Sequence, residues 1–260
     1  MTYTPLKFLF DSDLAERICA KIELVTPHFQ GMEFRAQVTQ QVENLELKDR
    51  IEVFAHSLNA CLEGSYEEKT ATLLAILGPE NPNDTGMFTN YYWIMPIAKF
   101  IEEYGLDNFD ISMKAIYEIT KRNTGEYAIR PFLRSCTSKT LDQMEEWSRD
   151  TNFHVRRLAC EGLRPRLPWA TKLQEFIDNP EQMIPILNNL KDDQSRYVQK
   201  SVGNCLNDVL KDNPDWGKSF IGSWSADSTK SRKWIIKHAL RNLVKKNDDW
   251  AHNVLTHLSD

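Results

Sequence analysis

Glycine is scarce in this chain, 10 residues in 260, and no stretch alternates β-branched with polar side chains. A strand-rich architecture needs that alternation and turn glycines to match, so it is excluded. No run approaches the roughly 18 to 20 apolar residues of a membrane span. The apolar patch near the start is too short for a signal sequence, and Asp11 and Asp13 follow it at once. A cytoplasmic protein with no membrane partner is expected. The five cysteines, Cys19, Cys61, Cys136, Cys160 and Cys205, fit neither a zinc knuckle nor a redox CxxC. They read as reduced, mostly buried thiols. The six histidines are scattered and the sequence offers no ligand cluster, so no metal or redox cofactor is expected.

What is present is ordinary globular material: 41% hydrophobic and 27% charged residues, enough to exclude disorder. The net charge of -5 hides an asymmetry. Residues 1–120 carry 9 Lys+Arg and 19 Asp+Glu, a balance of 9 − 19 = −10; residues 121–260 carry 23 and 18, a balance of +5. A basic half beside an acidic one suggests a polyanion partner, though solvated surface charge has the same composition. With no linker in evidence, one domain over 1–260 is expected, its 1–120 part acidic and structural and its 121–260 part basic and bearing the site.

Apolar residues recur at three and four. Leu14, Ile18, Ile22 and Val25 predict one helix, and Ala71, Leu74, Ile76 and Leu77 another. Breaks fall at Pro, Gly, Asn and Asp clusters, as at 78–86, 122–125 and 211–217. The second half repeats itself. Asp150 precedes Val155 by five residues and Leu163 by thirteen; Asp193 stands in the same relation to Val198 and Leu206, and Asp227 to Arg232 and Leu240. An aspartate capping a helix with a basic first turn and an apolar face fits the second helix of a HEAT-type repeat. A weaker copy starts at Asn123. The expected fold is all-α, an α-solenoid of HEAT-like repeats whose equivalent positions converge on one concave basic surface.

Cations keep their phase between repeats: Arg156 and Arg157, then Gln199 and Lys200, then Arg232 and Lys233. Such a row could follow a phosphodiester backbone, or pair with the aligned aspartate of the next repeat. Three carboxylates sit oddly. Glu161 lies on the apolar half of its helix, Asp208 stands among Leu206, Val209 and Leu210, and Glu126 opens the expected helix EYAIRPFL. Glu161 aligns with Asn204, and Asp208 follows Asn204 by about one turn, so acidic groups of neighbouring repeats could meet. Each could equally be a cap or an ion-pair partner, Glu161 with Arg157 for example. After Glu161 comes GLRPRLPWA, 162–170, in which two prolines favour an extended segment presenting Arg164, Arg166 and Trp169. Interleaved cations and an aromatic suit phosphate contact and stacking; a turn with Trp169 packed on the core is the alternative.

The stretch HVRRLACEGLRPRLPWA, with NTGEYAIRPFL before it and LKDDQSRYVQKSVGNCLNDVLKDNPDW after it, closely resembles the AlkC-type DNA-3-methyladenine glycosylases of the AlkC/AlkD superfamily. The resemblance is strongest over about half the chain, from Asn123 to Trp216. It implies a monofunctional enzyme that removes N3-alkylated bases, 3-methyladenine with 3-methylcytosine as a second candidate, from double-stranded DNA. It also implies a lesion engaged from its sugar side, without deep base flipping. The family's acidic site falls on Glu126, Glu161 and Asp208. Arg156, Arg157, Arg164, Arg166, Trp169 and Lys200 are the DNA-binding candidates, in a chain expected to be monomeric. Some relatives add an immunoglobulin-like module, and the helical end HNVLTHLSD leads to the expectation that it is missing here. A silent HEAT-like nucleic-acid binder and a protein scaffold with a basic groove stand as alternatives.

Overall fold

The computed structural model describes residues 5–84, 90–226 and 228–258. Asp227, the third aligned aspartate, and the end of the 78–86 break fall outside them. Among the described residues every regular element is a helix, an all-α helical-repeat fold. None is long and apolar enough to cross a membrane. The chain divides into two compact units, Met1–Pro131 and Phe132–Asp260.

The first unit carries α1 (Ser12–Glu23), α2 (Gly31–Gln41), α3 (Leu47–Cys61), α4 (Tyr66–Ala75), α5 (Met95–Tyr104) and α6 (Phe109–Thr120). Asp11 caps α1 by accepting from the amides of Asp13 and Leu14, which is why the helix starts there. Leu14, Ile18 and Ile22 are buried, whereas Val25 lies beyond the helix and is exposed. Ser65 and Glu68 form a reciprocal capping box on α4. The buried face of that helix runs through Leu73, and Ala71 faces outward. Phe10, Phe34 and Phe54 meet edge to face in the core.

The division falls in α7 (Arg130–Ser135). The second unit continues with α8 (Thr137–Trp147), α9 (Phe153–Glu161), α10 (Gln174–Asp178), α11 (Ile184–Leu190), α12 (Arg196–Asp212), α13 (Pro214–Ser225), α14 (Lys230–Lys245) and α15 (Asp249–His257). Helix α12 packs against both α9 and α14. Gly203 permits the second approach: a Cβ there would lie 2.8 Å from the His238 ring and 3.0 Å from its Cβ. Cys160 and Cys205 are free and buried in this unit, and Cys136 is half-buried.

The repeat register holds, but its caps differ from the expected ones. Asn152, Ser195 and Thr229 cap α9, α12 and α14. Asp150 and Asp193 lie two residues earlier, where each carboxylate accepts from the amide of the capping residue, at 2.7 and 2.8 Å. They brace the turn into the helix and do not cap it. The copy at 123 is likewise no helix; turns run through 126–129 and helical geometry begins only at Arg130.

Two adjacent aspartates tie the three repeats together. Arg156 of α9 reaches Asp193 through Nε–Oδ2 2.6 Å and Nη2–Oδ1 3.1 Å. From the other side Arg232 of α14 reaches Asp192, with Nε–Oδ1 3.0 Å. Gln199 adds a bond from Nε2 to Ser231 Oγ at 3.1 Å. The pairing of in-phase cations with the aspartate of the next repeat is thus realised for Arg156.

Candidate active site

Helix α9 ends on Glu161, and its C-cap Gly162 starts the loop to α10. Glu161 projects from the face of α9 that meets α12 and is only 5% exposed. Asp208, three turns into α12, is 2% exposed. Buried carboxylates persist only where hydrogen bonds and opposite charge offset desolvation. Arg164 supplies both. Its Nη1 donates to Glu161 Oε1 at 2.7 Å and its Nε to Asp208 Oδ2 at 2.9 Å, so one guanidinium, itself 7% exposed, bridges carboxylates from two neighbouring repeats. Ser201 Oγ donates to Glu161 Oε2 at 2.6 Å, Arg157 Nη2 lies 3.4 Å from Oε1, and Lys211 Nζ lies 3.1 Å from Asp208 Oδ1.

Burial alone would push the Glu161 carboxyl up. The charges of Arg157 and Arg164, with the Ser201 hydrogen bond, outweigh it and hold the group below its ordinary range. For Arg164, burial works against the charge, but Glu161 and Asp208 raise its pKa further. The centre is a fixed arrangement of two carboxylates about one permanent cation.

The segment 162–170 is a series of turns and not the single extended run expected. Leu163 and Arg164 donate back to Cys160 and Glu161, and Ala170 to Leu167, while Leu173 N bonds Pro165 O at 3.1 Å. Arg166 Nε meets Asp212 Oδ2 at 2.7 Å, one turn beyond Asp208 on α12. Two arginines therefore fasten the loop to successive turns of one helix. At its tip Trp169 is 60% exposed and adopts φ +62°. Left-handed geometry is uncommon for a residue with a bulky side chain, and such strain survives where the surroundings over-determine it, typically at functional sites. The alternative of Trp169 packed on the core does not describe this side chain.

A model of the DNA alkylation repair enzyme family matches residues 118–243, which span Glu126, Glu161, Arg164, Trp169 and Asp208. The alkylpurine DNA glycosylase AlkC of Pseudomonas fluorescens, solved bound to DNA containing an abasic site analog, superposes with a TM-score of 0.88 at 34% identity, over 98% of this chain and 69% of that one. The chain belongs to the AlkC-type alkylpurine DNA glycosylase family. It is also 35% identical over 247 residues to the uncharacterized protein YhaZ of Bacillus subtilis (strain 168), matching 95% of this chain and spanning 66% of that relative's length.

The site candidates of this AlkC-type chain are drawn from both units. Glu161, Asp208, Arg157 and Arg164 form one cluster. Glu126 lies in the first unit, 3% exposed, and accepts from Thr124 Oγ1 at 2.9 Å. The arginines expected as DNA contacts have carboxylate partners within the protein. Arg156 is held by Asp193, Arg164 by the two carboxylates, and Arg166 by Asp212, because each lies within reach of an acidic group on the neighbouring repeat. Arg157 lies over the Tyr197 ring at 5.0 Å as well as beside Glu161. Lys200 is exposed on α12. Sequence reasoning gave no role to Ser201, His238 or Arg241, and used Asn204 only as the position aligned with Glu161. A signal existed for His238: it stands eleven residues after Asp227, in the register that aligns Glu161 with Asn204. Among the described residues no group of three or more His, Cys, Asp or Glu side chains is placed to hold a metal.

Proposed function

We propose that this protein is a DNA glycosylase that hydrolyses the N-glycosidic bond of N3-alkylated bases, 3-methyladenine above all and 3-methylcytosine as a second substrate. The observation that carries the reading is the buried Glu161–Arg164–Asp208 centre beside an exposed, strained Trp169. A 3-methylated adenine is already cationic, so its glycosidic bond needs little acid help. As that bond stretches, the base takes the electron pair and leaves neutral, and positive charge moves to the deoxyribose as an oxocarbenium ion. Carboxylates fixed beforehand beside the sugar stabilise that charge as it develops. Water then bonds to C1′ and passes a proton to a carboxylate or to solvent, leaving an abasic site. Glu161 and Asp208 have the burial this requires, Glu161 is held ionised by the arginines beside it, and Glu126 is the third acidic candidate.

Arg164 fits the reading as the group that bridges the two carboxylates and helps to hold Glu161 ionised. Trp169 supplies a surface for stacking on a base or sugar at the lesion, and Lys200 and the neighbouring cations of α12 and α14 meet phosphates in a basic concavity. The sugar-side approach requires no deep pocket for the base. The activity recorded for the Pseudomonas fluorescens relative agrees with this chemistry. A silent nucleic-acid binder is less well supported, since buried carboxylates beside a DNA surface repel phosphates and give such a protein nothing.

The test is chromatographic release of free base from methylated duplex DNA by the purified chain. We expect 3-methyladenine to be released and 7-methylguanine, whose glycosidic bond is more stable, to be a poor substrate. Trp169→Ala should weaken binding to a duplex with an abasic-site analogue by about 1–3 kcal/mol, the worth of one aromatic stack. No 3-methyladenine release by a folded wild-type chain would overturn the proposal.

A further inference from the structure

Along one face of α12, residues four apart run Arg196, Lys200, Asn204 and Asp208. Helix α14 presents Trp234, His238 and Arg241 against it. Arg241 Nη2 donates to Asn204 Oδ1 at 2.9 Å and its Nη1 to the His238 carbonyl at 2.6 Å. His238 Nε2 lies 2.9 Å from the same Asn204 oxygen. That oxygen already accepts from Arg241, so the His238 nitrogen is a donor too. Asn204 thereby commits its acceptor, and its Nδ2 hydrogens meet no acceptor among the described residues.

The arginines at 156, 164, 166 and 232 all meet carboxylates. Arg241, half-buried, pairs only with neutral oxygens, and Lys200 makes no ion pair among the described residues. Among the described residues no carboxylate directly contacts Arg241 or Lys200, so the locality carries donors and positive charge open to an anion. His238 registers the imbalance: burial first, then the charges of Arg241, Lys200 and Arg164, push its pKa down to about 4, so it is neutral near pH 7. Burial and the Arg164 charge likewise lower Arg241, against the pull of Asp208.

We propose that Lys200, Asn204 and Arg241 form an anion site that takes a phosphodiester of the lesion strand, next to the nucleotide whose sugar meets Glu161 and Asp208. The inference rests on the glycosylase reading for its neighbour and on this donor set for its ligand. Asn204 lies one turn before Asp208, about 6 Å along the helix, which is the scale of a nucleotide step. A phosphate that close to two carboxylates is repelled, and cations that contact no carboxylate among the described residues offset the repulsion. The donor set matches phosphate oxygens, which accept hydrogen bonds and never donate them.

The experiment measures the salt dependence of binding to a duplex containing an abasic-site analogue, for wild type, Lys200→Gln, Arg241→Gln and Arg241→Lys. Each glutamine variant should lower the magnitude of the slope of log K against log salt by about 0.9, the value for one lost phosphate contact on duplex DNA. Arg241→Lys, which keeps the charge, should retain most of the wild-type slope. Wild-type slopes in both glutamine variants would overturn the site. Should Arg241→Gln fail to fold, Lys200→Gln, on an exposed position, decides alone. Base release by wild type is followed in parallel. Release with unchanged slopes sinks the anion site and leaves the glycosylase reading standing; altered slopes without release support the site and sink that reading.

Discussion

Glu161→Gln and Asp208→Asn are each expected to fold, to bind DNA at least as tightly as wild type, and to release 3-methyladenine slower by on the order of 10²–10³-fold. The opposite signs are the point. Each substitution removes a negative charge from the centre proposed to face the DNA, so phosphate binding should tighten or stay unchanged. The rate falls because the amide carries no charge with which to meet the sugar cation. Single-turnover release at saturating enzyme, beside equilibrium binding to the same duplex, separates the two effects. The double variant should lose little more than the worse single one, because groups acting on one developing charge are strongly non-additive. Wild-type rates in both isosteres with normal binding would remove these carboxylates from the chemistry.

The second large effect is on Arg164. Replacing it by methionine leaves two buried carboxylates without the cation that bridges them. Breaking a buried pair from one side costs about 3–5 kcal/mol, so Arg164→Met should unfold at markedly lower urea or temperature than wild type. Neutralising the carboxylates as well, in a triple variant with Glu161→Gln and Asp208→Asn, should recover part of that loss. The pH dependence has a definite sign. Glu161 is held below its ordinary range in the folded chain, so its contribution to stability is present above the unfolded pKa and is lost as pH falls through the folded value. Without Arg164 the folded value rises, and the acid limb of the base-release profile moves to higher pH. Arg164→Lys keeps one charge but not the fork that reaches both partners, and should fall between. An unshifted acid limb and wild-type stability in Arg164→Met would overturn this role.

Helical class was legible because scarce glycine and three-four periodicity leave few other options. The unusual carboxylates were legible too, since Glu161 and Asp208 interrupt apolar faces, Asp208 about one turn beyond the position that aligns with Glu161. The destinations of the cations were not. An arginine in the first turn of successive helices serves a latch between repeats as well as a DNA surface, and only the position of Asp193 opposite Arg156 distinguishes the two. Nor does the spacing of Arg164 and Arg166 foretell that α12 presents Asp208 and Asp212 to them. Caps were misplaced by two residues because Asp and Ser, or Asp and Asn, are all competent there, and local pattern alone does not choose. Asn204, His238 and Arg241 were given no part in the site because their meaning lies in which partners they meet, a property of packing.

Asp192 and Asp193, grasped from opposite sides by Arg232 and Arg156, join the start of α12 to both neighbouring repeats. Release of either grip strands a charge in a partly buried place, so the three helices should open as one foldon. Amide protons of α9, α12 and α14 are accordingly expected to exchange with a common opening free energy, and Asp193→Asn should lower it for all three together.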